Sequence, residues 1–99
     1  MLVHSVFFWL KPELTEPQRA DFRRAVEGLG AIESVRQSWV GTPSATERRP
    51  AVDHTFSLAF TTVYDDVAGQ TVYQGHPRHL EFLKNYRPYW SRIQIYDAD

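Results

Sequence analysis

A chain of 99 residues, 42% hydrophobic and 14% aromatic, carries enough apolar side chains for one domain spanning 1–99 and too few for a second core. Its formal charge of −1, from 11 basic and 12 acidic residues scattered along the sequence, argues against a nucleic-acid partner, and no apolar run nears the roughly 20 residues that cross a membrane. The absence of cysteine excludes disulfides, thiolate nucleophiles and Cys-held zinc, and without a secretory leader the expectation is a soluble, cytoplasmic protein.

Val3 to Leu10 is dense in β-branched and aromatic residues, stops at Lys11-Pro12, and reads as a strand. Both of its faces are mainly apolar, so both need cover. Thr15-Glu16-Pro17-Gln18 has the form of a capping box, with Thr15 as N-cap and Gln18 reaching back. Phe22, Ala25, Val26 and Leu29 then recur at helical spacing, and Gly30 follows as the stop. Glu33 to Val40 is a weaker strand, with Val35 and Trp39 on one face. Gly41 to Pro50 has loop composition, including the adjacent Arg48 and Arg49.

Asp53 to Val63 alternates as a strand that points His54, Phe56, Leu58 and Phe60 one way. Asp65 or Asp66 can cap a short helix with Val67, Ala68, Thr71 and Val72 inward. Tyr73-Gln74-Gly75-His76-Pro77-Arg78-His79 follows. Proline lacks an N–H and suits the first helical turn, while the residue before it is pushed to extended geometry. His76 is therefore the expected N-cap and Pro77 the first residue of a helix that shows Leu80, Leu83 and Tyr86 on one side. Tyr89 to Asp97 closes the chain as a strand with Ile93 and Ile95 on one face.

The order β-α-β-β-α-α-β is a split βαβ arrangement: an α+β fold with a four-stranded antiparallel sheet and its helices on one face. The other face is left bare and rich in aromatics. A patch of that kind predicts a homodimer joined sheet to sheet.

Two proton-handling side chains, Tyr73 and His79, meet at the His-Pro corner. Histidine titrates near neutrality and suits general acid–base work, and a tyrosine hydroxyl can donate to a developing oxyanion. Phe56, Phe60, Leu83 and Trp90 can wall an apolar cavity beside them. The competing reading is structural, with Tyr73 a packed ring, His79 a helix-end partner, and His4 and His54 buried polar neighbours on paired strands. Metal binding ranks lower, because zinc needs three or four convergent ligands. No metal and no cofactor is expected.

Taken together, His4 in its apolar strand with Lys11 after it, the Thr15–Gln18 helix start, His54, the Tyr73-x-x-His76-Pro77-x-His79 motif and the closing Tyr96-Asp97 resemble the stress-responsive α/β-barrel (Dabb) family over almost the whole chain. The resemblance implies a ferredoxin-like fold that dimerises into an α+β barrel. Many members have no assigned activity. A plant polyketide-cyclase branch uses a Tyr/His pair, which falls here on Tyr73 and His79 as catalytic residues, with His4 and His54 as pocket histidines. Gly75 departs from that branch, where a larger residue stands. The resemblance thus implies a barrel that binds a small apolar or carbonyl ligand without turnover, or alternatively a cofactor-free lyase, cyclase or isomerase with His79 as base and Tyr73 as oxyanion donor. A cofactor-independent monooxygenase is a third reading, by fold analogy.

Overall fold

Alternate burial along the first strand, β1 (Leu2–Leu10), sets the architecture: Leu2, His4, Val6 and Phe8 are buried, and the residues between them are partly exposed. The computed structural model describes residues 1–99. After β1 come α1 (Glu16–Leu29), β2 (Gln37–Gly41), β3 (Leu58–Tyr64), α2 (Val67–Gly75), α3 (Pro77–Tyr86), a 3₁₀ turn (Arg87–Tyr89) and β4 (Trp90–Ala98). The strands form one antiparallel sheet in the order β2-β3-β1-β4. The register puts Val6 between Phe60 and Ile95, and Phe8 between Leu58 and Ile93, so these rows share the helix-covered face.

The capping box at the start of α1 is complete. The Gln18 N–H donates to the Thr15 hydroxyl, and the Thr15 N–H donates to the Gln18 side chain at 2.8 Å. Phe22, Val26 and Leu29 are buried against the sheet. Phe22 lies at the centre of an aromatic cluster with Phe8, Phe82, Tyr86, Tyr89 and Trp90. Gly30 does end the helix, but its backbone is right-handed (φ −65°). What it serves is close approach: a Cβ there would sit 2.4 Å from the Ser38 hydroxyl.

Several expectations shift. β2 begins at Gln37, so Val35 lies before the strand and packs on the core, while Trp39 faces the bare side opposite Thr61 and is 57% exposed. β3 begins at Leu58 rather than Asp53. Ahead of it the chain is held to β1 by irregular bonds, Ser57 N–H to the Phe8 carbonyl and Leu10 N–H to the Ser57 hydroxyl. Strand parity therefore does not extend back to His54 and Phe56.

Asp66 caps α2 by accepting from the Gly69 N–H, but the predicted inner stripe is wrong. Val67 and Val72 are exposed, and the buried residue is Tyr73. The helix is turned so that Gly69 approaches β3, where a Cβ would lie 3.5 Å from the Tyr64 Cβ, in ordinary contact. In α3 likewise Phe82 is buried and Leu80 lies out in solvent. The uncovered sheet face carries Val3, Phe7, Trp9, Trp39 and Tyr96.

Candidate functional site

The corner between α2 and α3 is a single residue. His76 is extended (φ −65°, ψ 137°), closes α2 and caps α3. Its Nδ1 accepts from the Arg78 N–H at 3.1 Å, and its Nε2 lies 3.4 Å from the Glu33 carboxylate. Pro77 takes the first helical position, where no N–H is needed. The turn brings Tyr73, in the last turn of α2, against His79, in the first turn of α3, with ring centroids 4.7 Å apart.

Each ring's chemistry is set by its contacts. A carbonyl can only accept, so the 3.0 Å contact between His79 Nδ1 and the Gln74 carbonyl places a proton on Nδ1. Nε2 then carries the ring's free lone pair. Burial lowers the His79 pKa below its usual 6.5, opposed by the Gln74 bond and assisted by His4, which keeps the ring neutral at pH 7. The Tyr73 side chain is almost fully buried. Burial, with Tyr64 adding to it, raises its pKa above the usual 10, so its hydroxyl is a neutral donor.

His4 stands behind this pair. It is buried on β1, and its Nδ1 meets a carboxylate oxygen of Asp97 on β4, its register partner. Its ring packs edge-on to Tyr73 and Tyr64, at 6.2 and 6.3 Å between centroids. The Tyr64 hydroxyl is buried without a hydrogen-bond partner, and burial pushes its pKa up to about 12. Nowhere do three metal-ligating side chains converge.

A cavity of about 270 Å³ lies between α2, α3 and the sheet. Tyr73, His79 and His4 line it together with Phe60, Leu83 and Trp90, so six of the eight sequence candidates converge on one space. His54 and Phe56 do not. His54 bonds through Nε2 to the Thr46 hydroxyl in the 42–57 segment, and β3 presents Thr62 rather than His54 opposite His4. Phe56 packs on Phe7, 5.2 Å between centroids, and lines a separate hollow on the bare face with Trp9 and Arg92. Both lie outside the cavity, because the segment that carries them precedes the β3 ladder, which begins at Leu58.

Sequence reasoning also missed Gln74 and Arg87 as cavity groups and Asp97 as the partner of His4. Asp97 was within reach of a register argument, because an antiparallel β1–β4 pair that sets Val6 beside Ile95 must set His4 beside Asp97. Gln74 acts through its backbone, which no side-chain pattern reveals.

With this geometry in place, comparison with known proteins gives a consistent result. The profile of the Stress Responsive A/B Barrel Domain (Dabb) matches residues 2–99, and the chain belongs to that family. No curated protein sequence matches it. Among solved structures, it is similar to a Dabb family protein with a ferredoxin-like fold from Mesorhizobium loti (TM-score 0.80, 24% identity, covering 99% of this chain and 94% of that one). It is also similar to a dimeric ferredoxin-like protein of unknown function from Thermobifida fusca (TM-score 0.78, 19% identity, 98% and 88% covered). A third is the hydroxynitrile lyase of Passiflora edulis (TM-score 0.74, 24% identity, 98% and 90% covered). The fold is thus ferredoxin-like. No helix is long and apolar enough to cross a membrane.

Proposed function

We propose that this protein binds a small carbonyl compound in the cavity and moves a proton on it without a cofactor, in a reaction of the lyase, cyclase or isomerase class. One observation carries the reading: the Nδ1 proton of His79 is held by Gln74, leaving Nε2 free, while the ring of Tyr73, whose hydroxyl has no partner in the protein, packs on the same imidazole at an apolar space. A neutral imidazole beside a neutral donor is the arrangement that enolate chemistry requires. His79 Nε2 takes a proton from the carbon next to the carbonyl. The C–H electron pair moves toward the carbonyl oxygen, and Tyr73 donates to that oxygen as its charge grows. Imidazolium then returns the proton to carbon or to a leaving oxygen. His4, fixed by Asp97, holds the Tyr73 ring from behind.

The same reading takes the molecule to be a homodimer joined through the bare sheet face, as the Thermobifida fusca neighbour is dimeric. The apolar bare face supplies the physical reason.

Turnover of a panel of β-diketones by wild type and His79→Ala tests the chemistry. Consumption by wild type above the uncatalysed rate, with His79→Ala at background, is expected. Background rates for both proteins, with ligand binding retained, would leave a binding protein without turnover.

A further inference from the structure

The cavity that holds Tyr73 and His79 has one permanently charged residue in its lining, Arg87, and no carboxylate. Arg87 follows the last turn of α3, where its backbone N–H bonds to the Leu83 carbonyl. A cation at a helix C-terminus often serves the helix itself, by bonding its last carbonyls. The Arg87 guanidinium bonds none of them. Arg19 is engaged with the Lys11 carbonyl, Arg23 with Glu27, Arg24 with Asp21, Arg36 with Asp65 and Arg92 with the Trp9 ring, while Arg48, Arg49 and Arg78 are unpaired but stand outside this cavity. Arg87 has no such partner and borders an apolar space.

The spacing is informative. His79 and Arg87 are separated by eight positions along α3 and its cap, which is about 12 Å of helix axis at 1.5 Å per residue. Between them the cavity wall is Phe82, Leu83, Trp90 and Ile93. We propose that the site selects oxo acids: compounds whose carbonyl lies at Tyr73 and His79, whose apolar body runs along α3, and whose carboxylate pairs with Arg87. A guanidinium at the mouth offers two parallel N–H donors to such a group. The volume, about 270 Å³, is at the small end of ligand cavities, which begin near about 300 Å³, and fits a single medium-length chain. This inference rests on the carbonyl-binding reading above and adds the second anchor.

Affinities for 7-oxooctanoate, its methyl ester and 2-octanone, measured calorimetrically at fixed low ionic strength, test it. Wild type is expected to bind the acid at least roughly tenfold more tightly than the ester. Arg87→Gln brings the two within about twofold, and Arg87→Lys retains part of the preference. The acid should shift amide resonances of Phe82, Leu83 and Ile93. Equal affinities in wild type, a preference that survives Arg87→Gln, or no binding at millimolar concentration would overturn the proposal. Deuterium exchange next to the 7-oxo group is read separately. Its absence, with the acid preference intact, counts against proton transfer and leaves the oxo-acid assignment in place.

Discussion

The Nδ1 proton of His79 is committed to Gln74, and burial lowers the ring's affinity for a second proton. Titration followed on the His79 ring by NMR should give a midpoint below 6.5, and a midpoint at or above that value would contradict the assigned burial. The sign for stability follows. Between the native midpoint and about 6.5 the unfolded chain binds more protons, so stability falls as pH is lowered through that window. Urea unfolding at about pH 7 and pH 5 should show a larger loss for wild type than for His79→Ala. Tyr73→Phe removes only the hydroxyl of a packed ring. Turnover should drop roughly a hundredfold, the cost of losing an oxyanion donor, while ligand affinity changes little. A rate equal to wild type would show that the hydroxyl takes no part.

At the scale of elements, the capping box gives a clean measurement. Thr15→Ala leaves the N-terminal N–H of α1 without its acceptor and should cost about 1 kcal/mol in urea unfolding. Little or no change would mean that solvent replaces the cap fully. This motif was legible in the sequence, as were the His76-Pro77 corner and the order of the elements, because each depends on residues close together in the chain. Elements whose orientation depends on distant partners were not legible. α2 buries one large ring, Tyr73, in place of the aliphatic stripe Val67 and Val72, because its contact with β3 is made at Gly69. The alternation from His54 to Phe60 is continuous in the sequence, yet the ladder ends at Leu58. Phe56 therefore packs with Phe7 on the opposite face from Phe60. The candidate residues on the corner and on β1 converge on the cavity, whereas those in the segment ahead of β3 lie away from it.

For the whole molecule, the two faces of the sheet make separate predictions. On the covered face, Phe22 is fully buried among aromatic rings. Phe22→Ala should cost about 3–5 kcal/mol, and a loss under about 1 kcal/mol would mean that the core can close over the gap. On the bare face, Trp39 and Tyr96 are 57% and 64% exposed, and Phe7 lies between Phe56 and Tyr96. Light scattering of wild type at micromolar concentration should give a dimer, and Phe7→Lys a folded monomer. A monomeric wild type would remove the sheet-to-sheet assembly.

One joint, His76, carries both Tyr73 and His79, whereas much of the opposing wall comes from Trp90, Ile93 and Ile95 on a different segment. Machinery and mould are thus inherited separately. Libraries that randomise Trp90, Ile93 and Ile95 while keeping Asp97 can be screened for new ligands without disturbing the Tyr73–His79 pair, and descendants of this scaffold are free to diverge in what they accept while that pair stays in place.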